Sequence, residues 1–304
     1  MIDEPILPML ARSSGPFDDP GYLYEIKWDG SRCILFMQKD QVRLQNRRLL
    51  DITYRYPELH LLYQAIDAHD AVLDGELIVL TEGKSDFGKL QQREHVADAL
   101  KAKLYARQMP VMYMAFDILY QNGQSYLQAP LHRRKEKLKT LLKPSPYLSE
   151  SRHIAHKGKA FFEQAMSHGL EGIMAKRTDS PYVVGKRSPY WLKIKPEHLA
   201  HCYVVGYTRG QGARKNWFGA LAVATREEEE WVYRGRVGSG FTENALAALS
   251  PRLRSLKSKT PPLPLPRETK PVQWVRPELK CEVMFREITP GGRFRAPVFK
   301  RMLN

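Results

Sequence analysis

Hydrophobic and polar positions alternate over short distances in the first part of the chain, from Tyr22 onward. A period of two places successive side chains on opposite faces of a strand, so this alternation predicts β-strands. Asp29-Gly30 and Lys39-Asp40 separate the alternating runs and suit tight turns. The pattern therefore predicts three short antiparallel strands, in YLYEIKW, SRCILFM and QVRLQN. Two nearly continuous apolar runs, AVLDGELIVL and VMYMAFDILY, predict further strands.

Helical spacing of apolar residues appears between these strands. One helix is predicted from Tyr56 to Ala68, beginning near Pro57 and carrying Leu59 and Leu62 on one face. Further helices are predicted over residues 86–107, 131–142, 158–168 and 243–256. Strands and helices alternate up to Lys195-Pro196, which reads as a domain boundary, so a first domain is predicted over residues 1–196.

The pattern changes beyond residue 196. The runs CYVVGYTRG, FGALAVATRE, WVYRGRVGSGF and LKCEVMFREI read as strands separated by Gly-rich turns, and they predict a small β-barrel over residues 197–304. The Pro-rich run TPPLPLPRETKPVQW, residues 260–274, is predicted to be an extended connection within this barrel rather than a ligand for an SH3 domain.

Charge narrows the choice of partner. The 304 residues include 48 Lys and Arg against 33 Asp and Glu, a formal net charge of +15. Such an excess favours a polyanion, with nucleic acid ahead of an anionic membrane surface. No run of about 18 apolar residues and no signal-peptide pattern is present, so a cytoplasmic protein is expected. Three distant cysteines and the pair His198 and His201 form no disulfide framework or zinc motif, and buried free thiols are expected.

Lys27 is the first candidate for chemistry. It stands in Glu25-Ile26-Lys27-Trp28-Asp29-Gly30, at the end of an otherwise apolar strand-like run, where burying a lysine is costly. A lysine amine becomes a nucleophile when desolvation or neighbouring cations lower its pKa, and attack on the α-phosphorus of a nucleotide would give a phosphoramidate. K-x-D-G alone is short enough to occur by chance, so a solvent-facing turn lysine is the competing interpretation.

Five further runs follow Lys27 in order and decide between these interpretations. The six runs are K-W-D-G-S-R at 27–32, N-R-R at 46–48, L-D-G-E-L at 73–77, F-D-I-L at 116–119, E-G-I-M-A-K at 171–176 and W-L-K-I-K at 191–195. Together they resemble the ligase motifs of the covalent nucleotidyltransferase superfamily. The additional runs LQQR, GKRS, GRVGSGF and RPELKCEV resemble the ligase module of bacterial end-joining ligase D, an ATP-dependent DNA ligase. The resemblance covers nearly the whole chain.

The resemblance implies an α+β fold. It implies a nucleotidyltransferase domain of ATP-grasp-like antiparallel sheets with helices, followed by a small β-barrel with the OB-fold. It also implies DNA repair or end-joining chemistry in three steps. Lys27 takes AMP from ATP, AMP passes to a DNA 5′-phosphate, and a 3′-hydroxyl then attacks to seal the break.

Site residues are also implied by the resemblance. Glu25 would read the adenine amino group, Phe116 would stack on the base, and Glu76 would accept a bond from ribose. Arg32 and Arg47 would hold phosphate or ribose oxygens, and Lys193 and Lys195 would neutralise the transferred phosphate. The complete nucleotide set is Glu25, Ile26, Arg32, Arg47, Glu76, Phe116, Met174, Lys193 and Lys195, and the expected ligands of Mg²⁺ or Mn²⁺ are Glu171 and Glu76.

Basic residues beside aromatic ones form the expected DNA contacts, because Lys and Arg pair with backbone phosphates. This set comprises Arg48, Arg177, Lys186, Arg187, Arg209, Arg214 and Lys215. The expected partner is duplex DNA with nicks or ends, bound by a monomer at the bacterial nucleoid, with possible help from a Ku-like end-binding protein.

The sequence departs from the family pattern at its end. The family normally finishes with an R-x-D-K-like motif that orients the pyrophosphate leaving group, whereas this sequence ends at Arg301-Met302-Leu303-Asn304. Reaction with ATP is therefore expected to be slow compared with sealing of pre-adenylated DNA. Lys27 is close to the first residue, so ATP is preferred over NAD. The alternatives left open are an RNA ligase or capping-type nucleotidyltransferase, and a non-catalytic basic OB-fold protein that binds nucleic acid.

Overall fold

A computed structural model gives the fold of residues 4–228, 230–263 and 272–303. The chain divides into two units, Met1–Lys195 and Pro196–Asn304. The strands of the first unit are β1 (Leu10–Ser13), β2 (Tyr22–Ile26), β3 (Ser31–Gln38), β4 (Gln41–Asn46), β5 (Asp70–Thr81), β6 (Lys84–Ser85), β7 (Val111–Gln121), β8 (Gln124–Ser125), β9 (Leu148–Glu150), β10 (His153–Ala155), β11 (Ile173–Arg177) and β12 (Arg187–Ile194). Its helices are α1 (Phe87–Glu94), α2 (Ala99–Gln108), α3 (Leu131–Leu141) and α4 (Gly158–Ser167).

These strands form two sheets. The first has the order β1-β12-β11-β2-β10, and the second has the order β4-β3-β5-β7-β8, with β6 beside β5 and β9 parallel to β7. The predicted strands β2, β3 and β4 are present, but β2 pairs with β10 and β11 rather than with β3. The chain passes from one sheet to the other at Gly30, where a Cβ atom would lie 2.2 Å from the Leu77 carbonyl oxygen. The glycine of K-W-D-G therefore permits a close approach of two backbones.

The period of two along β3 divides its side chains between two cores. Cys33 and Leu35 face a core shared with α1 and α3, whereas Ile34 and Phe36 face a core between the sheets. The second core also contains Trp191 from β12. The nucleotide residues expected from the sequence lie beside this second core.

Two helix predictions are corrected. The single helix over Tyr56 to Ala68 is wrong, because the segment forms two short 3-10 helices, Pro57–Leu59 and Leu62–Ala65, and a third, Thr53–Arg55, precedes it. Non-helical backbone at Tyr56, with φ −127° and ψ 64°, separates Thr53–Arg55 from Pro57–Leu59. The helix over 86–107 is two helices, because Asp98 starts α2 by accepting a hydrogen bond from the Lys101 backbone N–H. The helices predicted over 131–142 and 158–168 are confirmed as α3 and α4.

The second unit is a small barrel. Its elements are β13 (His198–Arg209), β14 (Phe218–Glu227), β15 (Glu230–Val237), α5 (Glu243–Ser255), β16 (Gln273–Trp274), β17 (Lys280–Phe285) and β18 (Val298–Leu303). The sheet order is β15-β14-β13-β17-β18, and an isolated bridge between Ser239 and Val298 links its two edges. The predicted helix over 243–256 is confirmed as α5. Most of the Pro-rich run, residues 264–271, lies outside the described residues.

Three further predictions concern the cysteines, membrane-spanning helices and the fold class. Cys33, Cys202 and Cys281 are buried free thiols, as expected. No helix among the described residues has the length and apolarity to cross a bilayer. Both units combine sheets with helices, which confirms the α+β class.

Candidate active site

Lys27 follows β2 directly and is held at the end of the first sheet. Its backbone N–H donates to the Gly172 carbonyl at 3.0 Å, so the pairing of β2 with the β11 edge continues to this residue. Its Nζ lies 2.6 Å from Oε2 of Glu171. The other carboxylate oxygen of Glu171 is in contact with Nζ of Lys195, the residue after β12. One carboxylate therefore joins two lysines from different parts of the sequence.

Gly172 makes this arrangement possible. Its φ of +147° lies in a region that side-chain-bearing residues rarely adopt, and a Cβ atom there would lie 2.2 Å from the Ile194 carbonyl oxygen. The close approach of residue 172 to the end of β12 brings Glu171 to both lysines. The Glu-Gly pair of E-G-I-M-A-K is thus explained by backbone geometry as well as by charge.

A row of side chains crosses the first sheet beside Lys27. Glu25 of β2 is the register partner of Met174 on β11, which is the partner of Lys193 on β12. Directly paired residues place their side chains on the same face. All three line one cavity of about 230 Å³. The sequence assigned all three to the nucleotide, and the fold brings them together.

Flat and apolar surfaces form much of the cavity wall. Ile26, Met174, Phe116 and Trp191 all line it, and the rings of Phe116 and Trp191 are in an edge contact with centroids 5.9 Å apart. Lys176 places its Nζ 4.3 Å from the centroid of each ring. Such cation–π contacts stabilise a buried ammonium group. The cavity therefore offers an apolar slot with a charged rim.

Arg32 is fixed at the cavity by a carboxylate. Its guanidinium donates through two nitrogens to the buried Asp74, and Tyr182 donates its hydroxyl to the same carboxylate at 2.6 Å. The guanidinium also lies 4.7 Å from the centre of the Phe116 ring. A bidentate Arg–carboxylate pair defines the orientation of the fork. The Asp of L-D-G-E-L thus positions the Arg of K-W-D-G-S-R.

Arg47 reaches the cavity from a tight turn. The Asn46 side chain accepts hydrogen bonds from the backbone N–H groups of Arg48 and Leu50, at 2.9 and 3.0 Å. An asparagine that binds its own following backbone stabilises a turn of this kind. Arg47 lines the cavity, whereas Arg48 is exposed outside it.

Glu76 adds a second carboxylate to the cavity. It is the register partner of Arg32 across β3 and β5. Burial raises the pKa of the Glu76 carboxyl to about 7, and the charges of Arg32 and Lys27 only partly offset that effect. Glu76 takes part in none of the ion pairs formed by the described residues. It is a desolvated carboxylate at the mouth of a basic cavity.

The carboxylates fit a metal held jointly with a substrate. The described residues contain no cluster of three or more His, Cys, Asp and Glu side chains that could hold an ion by themselves. Mg²⁺ in phosphoryl-transfer sites is commonly bound by one or two carboxylates together with phosphate oxygens and water. Glu171 and Glu76 both lie close to Lys27. Glu171 forms an ion pair with Lys27, and the charge of Lys27 partly offsets the rise in the pKa of Glu76 that burial causes. The donor set therefore fits magnesium or manganese shared with phosphate.

The expected DNA-binding residues do not behave as one group. Arg187, at the start of β12, lines the nucleotide cavity and donates to the Ala11 carbonyl. Arg177 is exposed and pairs with Asp179 at 2.7 Å. Arg214 donates to the Gly238 carbonyl at 2.9 Å within the barrel. The remaining members are exposed at the surface: Arg48, Lys186, Arg209 and Lys215.

Several cavity residues were missed by sequence reasoning. Lys176, Trp191 and Trp28 line the cavity, although their positions inside the six motifs do not predict a role for them. Leu10 and Ala11 of β1 also line the cavity, and β1 was not predicted at all. The one usable signal was the lysine in E-G-I-M-A-K, an ionisable residue in an apolar strand. Conversely, Lys195 reaches Glu171 but does not line the cavity.

The fold and the cavity together define a two-part nucleotidyltransferase with a lysine beside a base-sized slot. Family models match the chain over residues 8–195, for the ATP dependent DNA ligase domain, and over residues 214–303, for the ATP dependent DNA ligase C terminal region. The chain therefore belongs to the family of ATP-dependent DNA ligases.

Individual relatives agree with this assignment. The chain is 33% identical over 98% of its length to the multifunctional non-homologous end joining protein LigD of Mycolicibacterium smegmatis, and it spans 38% of that relative's length. It is 30% identical to the crystal structure of the ligase domain from M. tuberculosis LigD, with a TM-score of 0.57 over 98% of this chain and 95% of that one. A structure of mycobacterial DNA ligase D complexed with ATP and MES is 29% identical, with a TM-score of 0.56 and coverage of 98% and 95%. These matches confirm the expected nucleotidyltransferase domain and OB-fold barrel.

Proposed function

We propose that this chain is an ATP-dependent DNA ligase that seals 5′-phosphate and 3′-hydroxyl breaks in duplex DNA through a Lys27–AMP intermediate. The observation that carries the proposal is the position of the Lys27 amine, beside a base-sized cavity and in contact with Glu171. Residues 1–196 act as the adenylation domain and residues 197–304 as the OB-fold domain. Family membership supports the same reaction class.

In the first step the neutral Lys27 amine attacks the α-phosphorus of ATP. A nitrogen–phosphorus bond forms, the bond from the α-phosphorus to the bridging oxygen breaks, and pyrophosphate leaves. The amine must lose a proton, and Oε2 of Glu171 at 2.6 Å is an acceptor within reach. An oxygen of the DNA 5′-phosphate then attacks the α-phosphorus, which breaks the nitrogen–phosphorus bond and returns the Lys27 amine. The 3′-hydroxyl next attacks the phosphorus of the DNA 5′-phosphate, which forms the phosphodiester bond and releases AMP.

The cavity residues bind and orient the nucleotide in this proposal. Phe116 and the other apolar walls contact the base, and Glu25 accepts a hydrogen bond from the adenine amino group. Arg32 and Arg47 hold phosphate or ribose oxygens, and Glu76 accepts a bond from ribose. Phosphoryl transfer depends on alignment and charge stabilisation, which these groups supply. The nucleotide set is completed by Ile26, Met174, Lys193 and Lys195.

Glu171 and Glu76 would hold a divalent cation, magnesium or manganese, together with α-phosphate oxygen. When bound, the cation supplies positive charge that stabilises the transferred phosphate. Glu171 must then exchange some of its contact with Lys27 and Lys195 for the cation. Both lysines are partly exposed, with 23% and 24% of their side-chain surface accessible, so this exchange requires no opening of a core.

The substrate is duplex DNA with nicks or ends. Exposed Arg48, Lys186, Arg209 and Lys215 contact backbone phosphates, while Arg177 and Arg214 must first give up existing protein contacts to do so. The printed name of the relatives, a multifunctional non-homologous end joining protein, supports a role in end joining. The proposal also includes a monomer that acts at the bacterial nucleoid. Help from a Ku-like end-binding protein is part of the proposal, and end joining that is equally efficient with and without such a protein would refute that part.

The remaining alternatives make different predictions for one assay. The matched families favour DNA ligase over an RNA ligase, a capping enzyme or a non-catalytic nucleic-acid-binding protein. Purified protein is incubated with Mg²⁺, ATP or GTP labelled at the α-phosphate, and nicked duplexes of DNA or RNA. We expect label on the protein only from ATP and sealing only of DNA.

The matched control is Lys27→Arg, which keeps a cation beside Glu171 but removes the nucleophile. This variant should take up no AMP and should remain folded. Labelling from GTP, sealing of RNA, or AMP uptake by the variant would overturn the proposal.

A further inference from the structure

Glu25 is held by two lysines in the interior of the protein. The residue is only 1% exposed, and its carboxylate lies 2.8 Å from Nζ of Lys176 and 2.8 Å from Nζ of Lys135. The contact with Lys176 follows from the sheet, because Lys176 lies on β11, which pairs with β2. Lys135 belongs to α3, which packs on β7 of the other sheet. A residue outside the sheet therefore contacts a carboxylate that lines the cavity.

Lys135 is itself held in place by several groups. Its Nζ donates to the Ser151 carbonyl at 2.9 Å and to the Phe116 carbonyl at 3.4 Å, and it lies 3.9 Å from the Glu150 carboxylate. Its side chain is 3% exposed. With these contacts it has little freedom to turn away from Glu25. Lys135 thus contacts both the Phe116 backbone and the Glu25 carboxylate, and both of these residues line the cavity.

The two lysines fix the chemical state of Glu25. Burial raises the pKa of the Glu25 carboxyl, but the charges of Lys135 and Lys176 outweigh burial and hold the pKa below its ordinary value. An ionised carboxylate accepts hydrogen bonds and donates none. Oε2 accepts a hydrogen bond from Lys176, whereas Oε1 is close to Lys135 but accepts no well-aligned hydrogen bond from the described residues. A carboxylate offers about four lone-pair sites, so Glu25, which lines the cavity, keeps capacity for a further donor besides its two lysines.

We infer that Lys135 is a positioning residue for base selection, which holds the Glu25 carboxylate as a fixed acceptor so that the cavity prefers a purine bearing an amino group at its 6-position. The inference rests on the proposed function and deepens it, because it names a residue outside the recognised motifs that acts through Glu25. A purine with a 6-oxo group places an acceptor against this acceptor and leaves both unsatisfied. The unsatisfied acceptors weaken binding of that base, whereas the contacts of the phosphates and ribose are unchanged.

A merely structural role for Lys135 makes a different prediction. Loss of packing would weaken every nucleotide by a similar factor, whereas loss of positioning would weaken only the interaction with the 6-amino group. Purine riboside triphosphate, which lacks any 6-substituent, separates these cases. Inosine triphosphate carries a 6-oxo group, so it tests the repulsion between that oxygen and the Glu25 carboxylate.

The experiment measures kcat/KM for enzyme labelling with these two nucleotides and with ATP. The variants are Lys135→Met, Lys135→Arg and, as a matched control, Lys139→Met at an exposed position on the same helix. For Lys135→Met we expect kcat/KM with ATP to fall at least about tenfold, since a polar contact in a buried site carries that much discrimination. The value with purine riboside triphosphate should change less than about twofold, and the preference for ATP over inosine triphosphate should narrow.

Lys135→Arg should recover part of the preference, and Lys139→Met should match the parent protein. Equal losses with ATP and purine riboside triphosphate would overturn the inference, as would an unchanged preference for ATP. If Lys135→Met does not fold, the ATP preference of Lys135→Arg compared with Lys139→Met decides in the same way. Failure of the parent protein to form any adduct with ATP would instead count against the proposed function.

Discussion

Two carboxylates in the first unit each stand between two lysines, yet the two clusters differ in burial. Glu171 contacts Lys27 and Lys195, and the three side chains are 19–24% exposed. Glu25 contacts Lys135 and Lys176, and those three side chains are 2–3% exposed. Glu25 and Lys27 are only two residues apart at the end of β2. Two residues at the end of β2 thus belong to different clusters. Each cluster consists of one glutamate and two lysines, but one is partly exposed and the other is buried.

The difference teaches what burial does to an ion pair. In the Glu171 cluster, water screens the charges, so a lysine, a phosphate or a cation can replace one another at small cost. In the Glu25 cluster, each charge has lost its water and depends on its partners. The exposed Glu171 cluster is suited to a reaction in which ion-pair partners change. The buried Glu25 cluster is suited to holding one side of the cavity in a fixed arrangement.

The largest expected effect comes from Glu25→Gln. This substitution removes the negative charge between two buried lysines, and unpaired buried charges cost about 3–5 kcal/mol. The free energy of unfolding, measured by denaturant titration, should fall by that amount. The same substitution at Glu171 should lower it by less than about 1 kcal/mol, because Lys27 and Lys195 stay hydrated. Similar losses at both positions would remove the distinction between the clusters.

The second prediction concerns activity in the exposed cluster. Glu171→Gln should reduce the rate of enzyme adenylation by about 100- to 1000-fold, which is the usual loss when one group that stabilises a transition state is removed. Single-turnover labelling with ATP measures this step. The variant should remain folded, so normal thermal unfolding serves as the control. Adenylation within about threefold of the parent rate would show that Glu171 only pairs charges.

The third prediction extends the effect of burial to Glu76. Its carboxyl has a pKa of about 7 in the folded chain against an ordinary 4.5, so the folded state holds the proton more strongly than the unfolded state. Stability should therefore decrease as pH rises from 4.5 to 7 and stay level above that, by up to about 3 kcal/mol from this group. Comparison of unfolding free energies for the parent and Glu76→Gln isolates the effect. A constant difference between them across this pH range would contradict it.

The smallest expected effect concerns exposed cations at and away from the cavity. Arg187→Ala should raise the KM for ATP several-fold, because Arg187 lines the cavity. Lys215→Ala should leave that KM unchanged and reduce the salt dependence of DNA binding by about one phosphate contact. Steady-state labelling and DNA binding at several salt concentrations give both values. If Lys215→Ala shifted the KM for ATP and Arg187→Ala did not, the assignment of Arg187 to ATP and Lys215 to DNA would be contradicted.

The sequence predicted the residues whose spacing along one strand sets their position. Glu25 and Lys27 follow from the end of β2, and alternation along β3 divides its side chains correctly between two cores. The helix α3 was predicted from its apolar spacing, but its two inward cations were not. Arg134 is fully buried against Asp117, and Lys135 against Glu25. A run of basic residues looks solvent-exposed until the partners that neutralise it are known.

Contacts between sheets could not be predicted from local pattern. The assignment of β2 to a different sheet from β3 depends on pairing with β11, about 150 residues later in the chain. The entry of Arg187 into the cavity depends on β1, a four-residue strand with no apolar period. The helix predicted over 56–68 is wrong because two 3-10 helices bury Leu59 and Leu62, the apolar residues that the predicted helix would have buried. Residues close in space but distant in sequence account for most errors.

The central claim is that the Lys27 amine becomes bonded to AMP. The direct measurement is proteolysis of protein labelled with ATP and Mg²⁺, followed by mass spectrometry of the labelled peptide. The account predicts one acid-labile AMP group, located on Lys27 and absent when Lys27→Arg is treated in the same way. AMP on another residue, or an equal amount of adduct in the variant, would contradict it.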